Sequence, residues 1–324
     1  MQMVSIRDIA KKAGVSVTSV SYALNGNPKV SKKTTEHIKQ IANELNYRPN
    51  AAARTLKTRL TKKIGIFIRE DRGIFFGDIL SGVIEICSKI GYDAVVCTGE
   101  NALDSLDNGS VDGGLIMDNR ITTEEIMRLA DAGRKLVVLD RTFYHKHVRQ
   151  VLLDNENGVR QMVSHLITLP SKKTYIVSGS AKNFDSQERV KSARKAFAEL
   201  APQHPIEVLD GMFNLNGGLD AAKKIEKDWS ESPISVFALS DSTAVGMQQY
   251  FQQNNYYIGK DILLSGFDNS LLSQYVTPSL TTVDYSTKRW GEEAAKVLLQ
   301  LISGEEAHHK LIPTTLKTRT STTG

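Results

Sequence analysis

Residues 5–26 carry the pattern that most constrains this chain, which is two short amphipathic segments around a glycine turn. Ser5 and Ser16 each stand where a serine caps the start of a helix, and Asp8 follows the first cap by three residues. Gly14 supplies the turn between the segments. Apolar residues recur at helical spacing in both segments: Ile6, Ile9, Ala10 and Ala13, then Val17, Val20, Ala23 and Leu24. The pattern predicts a helix-turn-helix whose second helix presents short polar side chains suited to the major groove of DNA.

Charge is distributed unevenly along the chain. Residues 1–63 contain 13 basic and 3 acidic residues, a net charge of +10, whereas the other 261 residues contain 28 basic and 33 acidic residues, a net charge of −5. A basic segment of this kind could be only a solvated surface. Together with the turn motif, however, it predicts a polyanionic partner, namely double-stranded DNA.

A third helix is predicted over residues 30–46, where four apolar residues share one face after a start at Ser31 or Lys32: Ile38, Ile41, Ala42 and Leu45. Pro49 ends it, because proline disfavours helix in the residue before it. Residues 50–57, with Asn50 as the cap, predict a further helix of barely two turns. So short a helix is marginal in water, so we expect it to form only against DNA or a partner chain.

Several features concern the compartment. The two cysteines, Cys87 and Cys97, have apolar neighbours and are predicted to be buried, reduced thiols. The N-terminus lacks an apolar stretch of signal-peptide type, and no run of 18 apolar residues occurs. The sequence therefore predicts a cytoplasmic protein with no membrane segment.

From residue 63 onward, apolar runs typical of buried parallel strands alternate with helical segments. The predicted strands are residues 64–68, 93–97, 114–117 and 135–139, then 175–178, 206–209, 236–239 and 262–265. The predicted helices are residues 76–90, 123–132, 187–200, 217–229 and 242–254. Two such sets predict two doubly wound α/β lobes with a ligand cleft at the carboxyl ends of their strands.

Enzyme chemistry is disfavoured. No Gly-x-Gly-x-x-Gly follows the strand 64–68 and no P-loop is present, so neither a cofactor nor an enzymatic activity is predicted. The pairs His145/His147 and His308/His309 lack carboxylate or cysteine partners at metal-ligand spacing, so no metal site is predicted. A secreted solute-binding protein could have the same two-lobed body, but the basic head argues against that class.

Motifs along the whole chain resemble those of LacI/GalR-family transcriptional regulators. The head matches at residues 6–16, 20–21, 24–26, 46–50 and 53–56, and the body at 111–114, 154–155, Arg189, 266–269 and 277–282. The resemblance implies an all-α helix-turn-helix head, a hinge helix and linker, and a two-lobed α/β effector domain like a periplasmic binding protein, at residues 1–48, 49–61 and 62–324. The first lobe is expected to contain residues of about 62–156 and 286–304. The second lobe is expected to contain residues of about 157–285 and 305–324.

The resemblance also assigns DNA contacts. Val17, Thr18 and Tyr22 occupy base-reading positions, and positions that touch phosphates are held by Ser16, Ser19, Ser21, Asn25 and Tyr47. Ser5 and Lys29 complete the expected contacts of the head. Tyr22 stands where many members carry an arginine that reads guanine, so the operator sequence does not transfer.

In the hinge, Leu56 matches the leucine that wedges into the minor groove, with Asn50 and Ala53 beside it. A plain core leucine is the alternative for Leu56. Because a two-fold operator needs two heads, the resemblance implies a homodimer.

For the cleft, the resemblance places seven residues around a small effector: Phe75, Asp140, Arg189, Phe213, Ser240, Asp241 and Asp268. Arg189 and Asp268 could clamp vicinal hydroxyls, while Phe75 and Phe213 could stack on an apolar ring face. A turn role for Asp268 and a core role for Phe213 remain alternatives. The same clamp would serve a purine, so a sugar, a sugar phosphate and a purine all stay open.

Three departures from the family pattern weaken any transfer of effector identity or local structure. Ser240 replaces a common asparagine, Gln187 replaces a frequent arginine, and residues 98–111 are short enough that the helix expected there should be truncated or missing. The expected function is a repressor of carbohydrate-utilisation genes. Lobe closure around the effector would make its hinge helices form or melt.

Overall fold

The computed structural model describes residues 4–48, 58–69, 75–229 and 233–323, without the side chains of Phe75 and Asp228. The chain divides into two compact units, Met1–Thr61 and Lys62–Gly324.

The first unit contains a three-helix head with α1 at Ile6–Ala13, α2 at Val17–Leu24 and α3 at Lys32–Glu44. Its core is formed by fully buried Ile9, Val20 and Ile38, one from each helix, with Ala10, Ala23, Ile41 and Ala42 around them. Val17 does not join this core, contrary to the apolar pattern, because 43% of it is exposed at the first position of α2.

Local hydrogen bonds fix the ends of these helices. The Asp8 carboxylate accepts from the Ser5 backbone nitrogen at 2.8 Å and from its hydroxyl at 2.7 Å, and these bonds lower the pKa of Asp8. Gly14 ends α1 with a φ of 66°, a left-handed conformation that favours glycine. The Ser16 hydroxyl accepts from the Ser19 backbone nitrogen at 3.0 Å and so caps α2.

The second unit contains two six-stranded sheets. Its strands are β1 Lys63–Ile68, β2 Asp93–Cys97, β3 Gly113–Met117, β4 Lys135–Val138, β5 Val148–Leu153, β6 Thr174–Ser178, β7 Ile206–Asp210, β8 Ile234–Ala238, β9 Ile262–Phe267, β10 Thr281–Asp284, β11 Lys310–Ile312 and β12 Thr315–Lys317. The first sheet has the order β11-β5-β4-β3-β1-β2 and the second β12-β10-β9-β8-β6-β7. Every pairing is parallel except that of β10 with β12.

Helices cover both faces of the sheets. They are α4 Phe75–Lys89, α5 Asp104–Asp107, α6 Thr123–Asp131, α7 Asn155–Leu166, α8 Phe184–Leu200, α9 Leu215–Asp228, α10 Asp241–Gln253, α11 Leu271–Tyr275, α12 Thr287–Ser303 and α13 Thr320–Thr323. In β1, Ile64 and Ile66 enter one core cluster while Phe67 enters another on the opposite face. This layering confirms the predicted doubly wound α/β fold.

The chain crosses between the two sheets near residues 154, 285 and 313, where β5 leads to α7, β10 to α12, and β11 to β12. The expected division of the lobes therefore differs from the structure near residues 305–312. β11 lies in the first sheet, because buried Ile312 packs with the core of that lobe and pairs with Leu153. The first segment of the first lobe ends near residue 154, close to the expected boundary, since α7 packs on α8 in the second lobe.

Close backbone packing joins α12 to α4 in the first lobe. A Cβ atom on Gly82 would lie 2.1 Å from the Lys288 carbonyl oxygen, and one on Gly291 would lie 2.1 Å from that of Ile79. The buried Trp290 also donates its indole N–H to the Val151 carbonyl at 2.7 Å. These contacts hold α12 firmly on the first sheet.

Three further expectations concern residues 98–111, the two cysteines and membrane-spanning helices. Residues 98–111 contain only the single turn α5, in agreement with the expected truncation. Cys87 is buried and Cys97 half-buried, and both are free thiols. Within the described part of the chain, no helix is long and apolar enough to cross a membrane.

Candidate functional site

The outer surface of the head carries all the described residues that were assigned to DNA. Ser5, Ser16, Val17, Thr18, Asn25 and Lys29 are exposed, and Ser19, Ser21, Tyr22 and Tyr47 are half-buried. None of them belongs to the buried core of the head, so each has surface available for contact.

The side chains on and after α2 are ordered by short-range contacts. The Ser16 and Ser19 hydroxyls lie 2.9 Å apart, and Asn25 donates from Nδ2 to the Ser21 carbonyl at 2.7 Å. Lys29 Nζ lies 5.7 Å from the centre of the Tyr22 ring. The phenol and the ammonium therefore form one patch that offers a positive charge beside an aromatic face.

The expected hinge residues Asn50, Ala53 and Leu56 lie outside the described residues, and their roles stay predictions.

A cleft of about 890 Å³ opens in the second unit where both sheets present the carboxyl ends of their parallel strands. Its lining follows directly from the topology. Arg69 follows β1, Met117 and Leu153 end β3 and β5, and from the second sheet come Ser180, Met212, Phe213, Ser240, Asp268 and Tyr285. Residues from both lobes therefore line a single cavity.

Arg189 on α8 is a deeply buried cation of the cleft, with only 4% of its side chain exposed. It donates to the Asn155 side-chain oxygen at 2.9 Å, the Leu239 carbonyl at 2.8 Å and the Asp268 Oδ1 atom at 3.2 Å. A buried guanidinium needs these three acceptors, because removing an unpaired charge from water costs a large desolvation free energy.

Asp268 completes the polar end of the cleft. Its Oδ1 atom also accepts from the Tyr285 hydroxyl at 3.0 Å. Burial raises the pKa of Asp268, while the Arg189 guanidinium opposes that rise. The backbone of Asp268 has a φ of 115°, a strained value for a non-glycine residue. This carboxylate is therefore held against Arg189 at an energetic cost in the backbone.

Phe213 and Ser240 line the same cavity. The Phe213 ring packs on Gly179, where a Cβ atom would lie 2.6 Å from it, and its centre is 5.7 Å from the Arg189 guanidinium carbon. Ser240 caps α10 by accepting from the Thr243 backbone nitrogen at 3.3 Å. The cleft thus combines an aromatic face, a hydroxyl and an ion pair.

Comparison with known proteins gives a consistent picture. Residues 5–50 match the family model of bacterial regulatory proteins of the lacI family, and residues 163–322 match a periplasmic binding protein-like domain. The HTH-type transcriptional repressor PurR of Vibrio vulnificus is 31% identical over 320 residues, covering 96% of this chain and 95% of that protein. The chain belongs to the LacI family.

Other relatives agree with this assignment. The ribose operon repressor of Haemophilus influenzae is 30% identical to this LacI-family protein, over 96% of this chain and 95% of that one. A solved structure of a sugar-binding transcriptional regulator of the LacI family from Enterococcus faecalis has 37% identity and a TM-score of 0.76. It covers 82% of this chain and 98% of that chain. The predicted family, fold class and general function as an effector-responsive DNA-binding regulator are thus confirmed.

Two of the residues that resemblance placed at the effector are absent from the lining of the cleft in this LacI-family protein. Asp241 is fully buried and does not line the cleft, since its carboxylate accepts from Thr282 Oγ1 at 2.6 Å and the Ser270 backbone nitrogen at 2.7 Å. Asp140 is also absent from the lining, and its carboxylate pairs with the Arg141 guanidinium at 2.8 Å. Local hydrogen bonds turn the buried Asp241 carboxylate away from the cleft, so its placement is wrong, whereas an effector role for Asp140 stays a prediction.

The side chain of the expected effector residue Phe75 is not described, so its stacking role stays a prediction.

Sequence reasoning missed two residues of the polar end, Asn155 and Tyr285. Asn155 accepts from Arg189 and donates from Nδ2 to Asp185 Oδ1 at 2.8 Å, so it orients the cation from behind. Asn155 belongs to the motif at residues 154–155, and this motif could have identified it from the sequence. Tyr285 lies one residue beyond β10. Because the sequence pattern did not predict β10, Tyr285 could not be recognised as a residue at the carboxyl end of a strand.

Proposed function

We propose that this LacI-family protein represses carbohydrate-utilisation genes and that a sugar or sugar phosphate in the cleft switches its operator affinity. The observation that carries the proposal is the buried Arg189–Asp268 pair in a cavity shared by both lobes. A guanidinium donates and a carboxylate accepts, so together they match the paired hydroxyls of a sugar.

The remaining lining fits the same class of ligand. Phe213 offers a ring face on which the C–H face of a sugar can pack, and Ser240 lines the same cavity while its hydroxyl is bonded to Thr243. Both support the roles that were assigned to these residues from sequence. A purine is the second candidate, favoured by the aromatic Phe213 beside Arg189 and by the similarity to proteins named PurR.

On DNA, we assign base reading to Val17, Thr18 and Tyr22 in α2. Their exposed or half-buried positions at the start and middle of a recognition helix support this role. We assign phosphate contacts to the surrounding polar residues of the head: Ser5, Ser16, Ser19, Ser21, Asn25, Lys29 and Tyr47. In the hinge, Asn50, Ala53 and Leu56 would meet the minor groove at the centre of the operator.

The switch would work through closure of the lobes. A ligand that bridges the two walls of the cleft favours the closed arrangement by its differential affinity for it. Closure would shift the first lobes of two subunits against each other and so form or melt their hinge helices. The proposal includes a cytoplasmic location and neither a cofactor nor an enzymatic activity.

The proposed assembly is a homodimer, and exposed apolar residues on both lobes support it. In the first lobe, Ile84 and Ile90, on or just after α4, and Val96 on β2 are 53%, 52% and 47% exposed. In the second lobe, Leu271 and Tyr275 on α11 are 64% and 78% exposed. Large apolar side chains exposed in groups mark interaction surfaces.

Sedimentation analysis of Ile84→Glu tests the assembly, with Met127→Glu on α6 as the matched control. We expect Ile84→Glu to yield a monomer and the control to remain a dimer. A monomeric wild-type protein would remove the homodimer from the proposal.

A thermal-shift screen with pentoses, hexoses, their phosphates and purines tests the ligand class. Sugars or sugar phosphates should raise the melting temperature and change operator affinity in a gel-shift assay. A response to purines alone would move the protein to the second candidate.

A further inference from the structure

An apolar lip borders the polar end of the cleft. Met212 and Leu215 line the cavity and are 52% and 44% exposed, whereas only 4% of the Arg189 side chain is exposed. On the opposite wall, the first lobe contributes buried Met117 and Leu153. The cavity therefore has a polar end and an apolar lip with walls from both lobes.

The backbone holds the lip in place at some cost. Met212 and Phe213 both have left-handed φ angles, 55° and 54°, which non-glycine residues rarely adopt. Each such residue costs about 1 kcal/mol or more, and strain of this kind persists where the surroundings enforce it. The Phe213 ring packs against the core, whereas the strain at Met212 presents a side chain that is 52% exposed and gains no core packing.

Contacts on both sides of the lip enforce this conformation. The Met212 backbone nitrogen donates to Asp210 Oδ1 at 3.1 Å, and Asn214 accepts from the Gly217 backbone nitrogen at 2.8 Å to cap α9. A Cβ atom on Gly246 would lie 2.1 Å from the Leu215 carbonyl oxygen, so α10 packs directly against this backbone. The lip is therefore preorganised, and it cannot fold inward to bury its own side chains.

A free sugar held by Arg189 and Asp268 offers no apolar group to Met212 and Leu215. The cavity of about 890 Å³ lies near the upper end of ordinary ligand pockets, which reach roughly 1,000 Å³. Space and apolar surface are thus both present beyond the ion pair. Covering the lip would add hydrophobic binding free energy that a free sugar cannot supply.

We propose that the effector is a sugar joined to an apolar or planar group, with its hydroxyls on Arg189 and Asp268 and its substituent against Met212 and Leu215. This inference rests on the proposed function of the cleft. A nucleoside and an aryl glycoside share this chemistry and would differ only in the source of the planar group.

Matched pairs of probes test the inference by calorimetric titration of the full chain. The pairs are D-ribose against adenosine and inosine, and D-glucose and D-galactose against their phenyl β-glycosides. We expect at least one substituted sugar to bind about tenfold more tightly than its free partner, as burial of half-exposed apolar side chains allows. The pair that shows the gain identifies a nucleoside or an aryl glycoside.

Substitutions in the apolar lip test which residues provide this gain in affinity. Met212→Ser and Leu215→Ser should each remove most of the affinity advantage of the substituted sugar over its free partner. Leu311→Ser is the control, because Leu311 is 63% exposed on β11 and does not line the cleft.

The possible outcomes separate this inference from the proposed function. Free sugars that bind as tightly as their substituted partners would overturn the inference and leave the sugar-responsive function in place. An advantage that survives in both lip variants would also overturn it. Failure of every probe, free or substituted, would count against the proposed sugar class as well.

Discussion

The guanidinium carbon of Arg189 lies 3.6 Å from the centre of the Phe267 ring. Phe267 is fully buried at the end of β9, so the flat cation stacks on the core of the second lobe while its edge bonds to Asp268. Stacking on the ring and simultaneous donation to Asn155, Leu239 and Asp268 both require a planar group with several N–H donors, which lysine does not have. The contact explains how a charge can remain in the cleft with so little exposure.

Arg189→Lys should therefore abolish the thermal shift produced by sugars, although it keeps the charge. Operator binding without effector should stay within a few fold of wild type, because the cleft and the head are separate sites whose coupling depends on ligand. Arg194→Lys, on the exposed side of the same helix, is the control. Normal sugar binding by Arg189→Lys would place the effector elsewhere.

Substitutions in the head should separate base reading from phosphate contact. Thr18→Ala and Tyr22→Ala should relax the preference for operator over random DNA, since they remove the side chains assigned to base edges. Lys29→Ala should weaken binding to all sequences alike and reduce the slope of log K against log salt by about 0.9. Competition gel shifts at several salt concentrations measure both effects, and unchanged specificity in Tyr22→Ala would exclude a base-reading role.

Leu56→Ala tests the predicted hinge wedge. Loss of an inserted leucine should cost about 1.5–3 kcal/mol of operator binding and leave non-specific binding, which depends on lysines and arginines, nearly unchanged. Circular-permutation gel shifts would show a smaller bend in the operator. If the bend and the affinity both stay at wild-type values, Leu56 only packs within the hinge.

Asp241 gives a prediction about pH. Burial and the nearby Asp268 charge raise its pKa from 3.8 to about 7, so the folded state binds its proton more tightly than the unfolded state does. Asp241 therefore contributes to the free energy of unfolding at low pH. This contribution is lost as pH rises from about 4 to about 7, with a slope of up to roughly 1.4 kcal/mol per pH unit.

Urea unfolding of wild type and Asp241→Asn at pH 5 and pH 8 measures this difference. The variant should have a flatter pH dependence than wild type, because an amide does not titrate in this range. Parallel pH profiles for the two proteins would mean that Asp241 stays ionised throughout this range.

Two glycines of α4 form a matched pair for the packing of α12. Gly82→Ala should destabilise the protein by about 1–3 kcal/mol, because its Cβ atom would meet the Lys288 carbonyl oxygen at 2.1 Å. A Cβ atom on Gly77 meets nothing within 4 Å, so Gly77→Ala should be neutral or stabilise by about 0.5–1 kcal/mol. Equal unfolding midpoints for both variants would contradict the close approach of the helices.

Local sequence signals predicted the head and most strands of the body, because capping serines, helical spacing and continuous apolar runs act over a few residues. They did not predict β5, β10, β11 or β12. Arg149 and Gln150 interrupt the apolar run of β5, and the other three strands are only three or four residues long and are fixed by distant partners. Ile312, for example, becomes a core residue only beside Leu153.

The candidate site shows the same limit. Sequence identified Arg189 and Asp268, since both stand in recognisable motifs. It misplaced Asp241, because the orientation of that carboxylate depends on Thr282 and Ser270 from other elements. The choice between facing the cleft and facing the core is thus made by tertiary hydrogen bonds.

The three crossings between the lobes have a consequence for synthesis of the chain. The first sheet lacks its edge strand β11 and its covering helix α12 until residue 312 has left the ribosome. At roughly 5–20 residues per second, the buried face that Trp290 and Val151 share stays open for about 10–30 seconds after β5 emerges. The first lobe therefore completes its core only when synthesis of the chain is nearly finished, and its apolar surface is exposed to aggregation during that interval.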